Sequence, residues 1–134
     1  MRFKLLIFFL LFYSVTFCQE IGNVKVGNHF VKLLKIDNLF SLVYSDVKSE
    51  SFNEEKSFNF PNKETIYSIL INGFNRNKGH QVIIQTNKDT IVKFNFKKFD
   101  GEYMLYVYQN NLGNNTFGRS AFFTKNQIIK LFGG

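Results

Sequence analysis

The chain has 134 residues, with 17 lysines and arginines against 10 acidic residues, a formal net charge of +7 and a single cysteine. One cysteine excludes an internal disulfide framework and a Cys-based metal cluster, and the length predicts one domain. The positive charge favours an anionic partner, although solvated surface lysines give the same balance.

The N-terminal residues have the three-part layout of a secretory signal peptide. Arg2 and Lys4 precede an unbroken apolar run over residues 5–13. This run is far shorter than the roughly 20 residues that a membrane-spanning helix needs, and it lacks the polar face of a core helix. We therefore predict that residues 1–18 are a signal peptide, that residues 19–134 form a single globular α+β domain, and that the protein is exported to the periplasm or secreted.

The lone cysteine, Cys18, lies where the signal is expected to end. Thr16 and Cys18 suit the two small-residue positions of an ordinary signal peptidase site, with Gln19 as the first mature residue. Residues 15–18 also resemble a bacterial lipobox, in which Cys18 is the lipid-anchored first residue. Phe17 departs from that motif, because a small residue is expected there. We predict cleavage between Cys18 and Gln19, with a lipoprotein anchored through Cys18 as the alternative.

The first part of the predicted domain has strand patterns followed by a helix pattern. Residues 29–36 and 39–47 are β-prone and flank a turn at residues 37–38. Residues 48–56 are polar and predict an exposed loop. Asn62 predicts a helix N-cap, because apolar residues recur at helical spacing from Ile66 to Phe74. Residues 65–71 are also compatible with a strand, and we favour the helix.

Three consecutive strands are predicted over residues 81–86, 90–99 and 102–109. Between the last two, Asp100 and Gly101 form a two-residue hairpin signal that favours a type I′ turn. This turn sets the cross-strand register, and a turn at residues 87–89 extends the register to the first strand. The register predicts a core face made of Val82, Ile84, Val92, Phe94, Phe96, Leu105 and Val107.

The C-terminal residues predict a loop, a short strand and a helix. The loop spans residues 113–118 and the strand residues 120–123. Thr124 and Gln127 match a capping box, and Gly133 ends the helix. The predicted order is ββαβββ(β)α, an α+β fold with one antiparallel sheet of about five to six strands and two helices packed on one face of it.

The sequence offers little chemistry for catalysis. The two histidines, His29 and His80, are far apart in sequence, and no hydrolase, nucleotide-binding or calcium-binding motif is present. We therefore predict no catalytic residue, no cofactor-binding residue, no metal ligand and no cofactor. The alternative of a periplasmic hydrolase-type enzyme needs a polar pocket, for which His80 and Tyr103 are the candidate centres.

The outward face of the predicted hairpin is the best candidate for a binding site. Tyrosine rings stack on sugars, lysines pair with anionic groups, and amides bind hydroxyls. We predict a non-catalytic binding module for an anionic or glycan ligand, a lipid surface or an envelope protein; export makes nucleic acid a poor candidate. An ordinary solvated sheet face and a structural subunit of an envelope complex remain the alternatives. The predicted face carries Lys93, Asn95, Lys97, Tyr106 and Tyr108.

Overall fold

A computed structural model of the chain describes residues 17–48 and 54–133. Most of the predicted signal peptide, residues 1–16, lies outside these residues. The described chain forms two meanders of four strands, each followed by a helix. The elements are β1 (Cys18–Val26), β2 (His29–Ile36), β3 (Leu39–Ser45), β4 (Glu55–Phe60), α1 (Lys63–Asn75), β5 (His80–Asn87), β6 (Thr90–Phe99), β7 (Glu102–Asn111), β8 (Thr116–Arg119) and α2 (Lys125–Leu131).

The first sheet pairs β1, β2, β3 and β4 in sequence order, each antiparallel to the next. The predicted turn at residues 37–38 is confirmed, and Asp37 takes the positive φ of 53° that a tight turn requires. The predicted loop over residues 48–56 is wrong at its end, because Glu55 and Lys56 begin β4. Its residues 49–53 lie outside the described part of the chain.

Both predicted helices are confirmed by their caps. The Asn62 side chain accepts a hydrogen bond from the backbone N–H of Thr65 at 3.2 Å. At the second helix, the Thr124 hydroxyl accepts from the backbone of Gln127, whose side chain accepts from the Thr124 backbone in return. Each cap satisfies amide groups that would otherwise lack partners in the first turn. Within the described residues, neither helix is long and apolar enough to cross a membrane.

The second sheet pairs β5, β6, β7 and β8 in the same manner. The predicted register is confirmed: Phe99 pairs with Glu102, and both residues of the intervening turn have positive φ, 50° at Asp100 and 80° at Gly101. Type I′ turns have this geometry. At the other hairpin the predicted three-residue turn at residues 87–89 is wrong: Asn87 pairs with Thr90, so the turn has two residues, and a bulge before it keeps the predicted pairing of β5 with β6.

The predicted single sheet of five to six strands with two helices on one face is wrong, because the strands divide into two sheets. The two inner faces contribute to one buried core. Phe58 on β4 contacts Phe94 on β6, with 6.2 Å between ring centroids. Helix α1 contacts β5, β6 and β7, whereas α2 contacts β1, β2 and β7. Burying two apolar sheet faces against each other stabilises a chain with this much strand better than helices on one sheet would.

Candidate ligand-binding face

The outer face of the second sheet brings together all five residues that the sequence predicts for a ligand site. Across β6 and β7, Lys93 pairs with Tyr108, Asn95 with Tyr106, and Lys97 with Met104. Side chains alternate along a strand, so these residues point away from the core while their neighbours, such as Phe94 and Val107, are buried.

Strand β8 adds a cation to this face. Arg119 pairs with Tyr108, and its guanidinium carbon lies 4.4 Å from the centroid of the Tyr106 ring and 5.8 Å from that of Phe122. On the other side of Tyr108, the Lys93 ammonium nitrogen lies 5.9 Å from the ring centroid. All three cation–ring distances are within the range of cation–π attraction. Each of the two tyrosines therefore has a cation beside its ring.

The aromatic surface extends beyond the tyrosines. The Tyr106 and Phe122 rings meet edge to face at 5.0 Å, and Phe122 stacks on Phe99 at 5.8 Å. Tyr108 contacts Phe117, at 6.3 Å. The outer halves of Phe99 and Phe117 remain open to solvent. We call this surface the aromatic–basic face and define it by Lys93, Asn95, Lys97, Tyr106, Tyr108, Arg119 and Phe122.

The positive charges of this face lack acidic partners in the part of the chain that the structure describes. The ion pairs found there are Lys56 with Glu54 and Lys63 with Glu64, both on other elements. Arg119 Nε is buried and forms no hydrogen bond with any described residue. Cations without partners on an exposed face leave a positive potential that an anionic ligand can neutralise.

Sequence reasoning missed Arg119 and Phe122 as site residues because it placed the last strand four positions too late. The predicted loop over residues 113–118 contains most of β8, and the predicted strand at residues 120–123 is reduced to a single bridge between Phe123 and Leu105. Gly118, at the end of that predicted loop, lies in β8 and marks a close approach: a Cβ at Gly118 would meet the Tyr44 hydroxyl.

A buried polar contact joins the two sheets behind the face. The hydroxyl of the fully buried Tyr44 donates to Gln109 Oε1 at 2.9 Å, and Gln109 Nε2 donates to the backbone carbonyl of Ser57 at 2.8 Å. Burial raises the pKa of the Tyr44 hydroxyl well above its ordinary value, and the nearby negative charge of Asp46 raises this pKa further. Tyr44 therefore stays protonated and remains a donor.

Asp46 fixes the backbone from which Arg119 projects. Its Oδ1 accepts hydrogen bonds from the backbone N–H of Arg119 at 3.1 Å and from that of Lys48 at 2.9 Å. The N–H of Val47 in turn donates to the Arg119 carbonyl at 2.8 Å. The backbone N–H and C=O of Arg119 are thus both hydrogen-bonded, which lowers the backbone conformational entropy lost when this residue binds a ligand.

Two cavities contain the side chains that the enzyme hypothesis names. One, of about 290 Å³, is bordered by His80 next to the aromatic–basic face. The other, of about 520 Å³, is bordered by Tyr103, Glu102 and Lys125 near the β6–β7 turn, where Lys125 donates to Asn75 at 2.8 Å. His80 and Tyr103 therefore belong to separate cavities. Among the described residues no group of acidic, histidine or cysteine side chains could hold a metal ion.

Cys18 and Gln19 lie at the start of β1, where both are exposed and pair with Ile36 and Lys35. Strand β1 belongs to the first sheet, so neither residue contributes to the aromatic–basic face. Removal of residues 1–18 would leave Gln19 as the first residue of this strand. The predicted cleavage is thus compatible with the pairing of the rest of β1.

No family model, no curated protein and no solved structure matches the chain.

Proposed function

We propose that the protein is a non-catalytic binding module that holds an anionic glycan on the aromatic–basic face. One observation carries the proposal: Lys93 and Arg119 flank tyrosine rings on an outward sheet face, and no described acidic side chain pairs with either cation. Rings of this kind cover the apolar faces of sugars, and the cations attract carboxylate groups.

A glycan fits this face better than a lipid surface does. The row formed by Lys93, Tyr108 and Arg119 crosses three strands, so its two cations are separated by about 10 Å of sheet. Beside the row, Asn95 offers an amide that can bind hydroxyl groups. Lipid binding usually relies on mobile basic side chains or an inserted amphipathic helix, whereas Arg119 is held against two rings.

We also propose that the module acts after export, in the periplasm or outside the cell, with Gln19 as its first residue. The signal layout of residues 1–18 supports this proposal. Intact-mass measurement on protein from the envelope fraction tests it. The expected mass is that of a chain whose first residue is Gln19. A mass that includes lipid on Cys18 would contradict the proposal and favour the anchored form.

The binding proposal is tested by titrating the chain with a soluble polyuronate, with neutral dextran as the matched polymer. We expect binding to the polyuronate alone, with an affinity that falls as salt is raised because salt screens the attraction between the cations and the polymer. Lys93→Glu should weaken binding about tenfold, since it replaces attraction with repulsion at the face.

The matched control is Lys32→Glu, which makes the same charge change on the first sheet. Lys32 also lies over an aromatic ring, 4.7 Å from the centroid of Phe30, so the two variants differ only in which sheet they alter. Equal losses for both variants would contradict the proposed site. Binding to anionic vesicles but not to the polyuronate would replace the glycan with a lipid surface.

A further inference from the structure

Strand β5 forms an open edge of the second sheet. It pairs with β6 on one side, and its other side has no strand partner among the described residues. In the described chain, no backbone hydrogen bond outside the β5–β6 ladder involves residues 80–87. The peptide groups on this side can therefore pair with another strand, which is how a sheet is extended from one molecule to the next.

The other edges of the two described sheets carry features that discourage such pairing. Strands β1 and β4 each contain one acidic residue and one lysine. Strand β8 has four residues, and the backbone N–H and C=O of Arg119 in it are already bonded to the segment after β3. Charges and short lengths of this kind protect natural edge strands. By contrast, residues 81–87 of β5 contain no charged residue, proline or glycine, and Ile83 is 55% exposed.

The sequence of the β5 edge is complementary to itself. Each direction from Ile83 gives a β-branched aliphatic residue and then a glutamine, Val82 and Gln81 on one side and Ile84 and Gln85 on the other. Two copies that pair antiparallel about Ile83 therefore place an aliphatic residue opposite an aliphatic residue and an amide opposite an amide. Cross-strand pairs of this kind stabilise a sheet and fix its register.

The two glutamines also have matching hydrogen-bond groups. Gln85 Nε2 donates to the backbone carbonyl of Lys88 at 2.9 Å, and no described residue donates to Gln85 Oε1. Gln81 is exposed and forms no side-chain hydrogen bond within the described chain. The Gln81 amide of one copy can therefore donate to Gln85 Oε1 of the other, and two-fold symmetry gives this bond twice.

We propose that β5 pairs with β5 of a second copy of this chain, antiparallel and with a two-fold axis at Ile83. The two second sheets then form one continuous sheet, with four strands from each copy. A two-fold axis normal to the sheet keeps both aromatic–basic faces on the same side. This inference goes beyond the proposed function, because the pairing needs no ligand.

The register joins the cations of the two copies in one row. Ile83 pairs with Lys93 on β6, and the same row continues to Tyr108 and Arg119. The two-fold axis at Ile83 repeats this order in reverse, so the row crosses every strand of the joined sheet, about 34 Å at the ordinary strand spacing. The dimer doubles the number of cations along the row, which suits a long anionic chain better than a single small anion.

Analytical ultracentrifugation of the protein without ligand, from micromolar to millimolar concentration, tests the pairing. The wild type is expected to form a reversible dimer, and a weak one because a single edge buries a small area. Ile83→Lys should weaken the dimer by at least about tenfold, since the axis places the two ammonium groups opposite each other. The matched control is Leu39→Lys, which changes a residue that is 46% exposed on a strand of the first sheet. It should dimerise like the wild type.

A mixing experiment tests the position of the axis. Ile83→Glu should also be monomeric by itself, whereas an equimolar mixture of Ile83→Glu with Ile83→Lys should dimerise, because the axis then brings opposite charges together. This recovery also shows that both variants are folded. A wild type that stays monomeric at millimolar concentration, equal losses in Ile83→Lys and Leu39→Lys, or no recovery in the mixture would each overturn the proposal.

Salt separates this inference from the proposed function. Lys78 and Lys88 lie just beyond the two ends of β5, and antiparallel pairing brings the Lys78 of one copy towards the Lys88 of the other. Added salt should therefore leave the dimer intact, whereas it should weaken polyuronate binding. If the wild type dimerises but does not bind the polyuronate, the dimer stands and the proposed function is refuted. If the polyuronate binds a chain that stays monomeric, the proposed function stands and the dimer is refuted.

Discussion

The two halves of the described chain have the same order of elements, a four-stranded antiparallel meander followed by a helix. Their inner faces are also alike, since both supply large apolar side chains to one shared core. Their outer faces differ. The outer face of the first sheet carries small, buried side chains such as those of Ser41 and Ser45. The outer face of the second sheet carries two tyrosines between two cations.

This difference separates the residues that the fold requires from the residues that a ligand would contact. The first meander pairs and packs with a single aromatic ring, Phe30, among the strand residues of its outer face. The aromatic rings on the outer face of the second sheet are therefore not required for a four-stranded sheet to form. The charge follows the same division: residues 19–64 carry 6 lysines against 7 acids, and residues 65–134 carry 9 basic residues against 3 acids. Both observations point to the second sheet as the binding half.

The largest expected effect tests whether the two halves share one core. Phe94→Ala removes a fully buried ring at the contact with Phe58 and should lower the free energy of unfolding by about 3–5 kcal/mol. Chemical denaturation measures the change, with Phe30→Ala, on the outer face of the first sheet, as the control that should cost much less. Hydrogen exchange should show both sheets losing protection together in Phe94→Ala. Loss confined to the second sheet would mean that the halves are independent.

The second-largest expected effect tests the position of β8 in the second sheet. Gly118→Ala places a Cβ 2.5 Å from the Tyr44 hydroxyl and 2.8 Å from Lys56 Cγ, and overpacking of this kind costs about 1–3 kcal/mol. Gly79→Ala is the matched control, since its nearest contact is the Phe96 carbonyl at an ordinary 3.7 Å. Thermal denaturation should separate the two variants. A Gly118→Ala protein as stable as the Gly79→Ala protein would contradict this placement of β8.

The same glycine shows where sequence reasoning succeeds and where it fails. The Asp100–Gly101 turn, the Asn62 cap and the Thr124 capping box were predictable because each depends on residues only a few positions apart. The loop predicted over residues 113–118 is wrong at Gly118, because the reason for a glycine in this strand is its contact with Tyr44, a distant residue. A local pattern cannot contain that information.

The candidate site also has one part that local sequence predicted and one part that depends on distant residues. The hairpin register placed five of its residues correctly from one turn, whereas Arg119 required β8 to be located first. Strand β4 did carry a local signal that was overlooked, because Phe58 and Phe60 alternate with Ser57 and Asn59. The division into two sheets had no such signal, since it depends on contacts such as that of Phe58 with Phe94.

A smaller effect tests the polar contact between the halves. Tyr44→Phe removes the donor to Gln109 and leaves its Oε1 without that partner, which should cost about 1 kcal/mol of unfolding free energy. Urea denaturation measures it. Tyr67→Phe, which changes a half-buried ring on α1, is the control and should change stability by less. If the two variants are equally stable, the inter-sheet hydrogen bond contributes nothing measurable.

The smallest effect appears only in alkaline solution, and it tests whether Tyr44 is as buried between the halves as the structure shows. Burial, and then the charge of Asp46, raise the pKa of Tyr44 in the folded chain, while an unfolded tyrosine has a pKa of about 10. Above that pH the unfolded chain loses a proton that the folded chain keeps. Unfolding is thereby favoured, and stability falls by at most about 1.4 kcal/mol for each further pH unit.

Urea denaturation at pH 9 and at pH 10.5 measures this loss in the wild type and in Tyr44→Phe. The two proteins share every other titratable group, so the contribution of those groups cancels in the comparison. The wild type should lose more stability than the variant between the two pH values, by less than about 1 kcal/mol. Equal losses would mean that Tyr44 ionises in the folded chain as readily as in the unfolded one. The hydroxyl would then be reached by water, and the two sheets would not close over it.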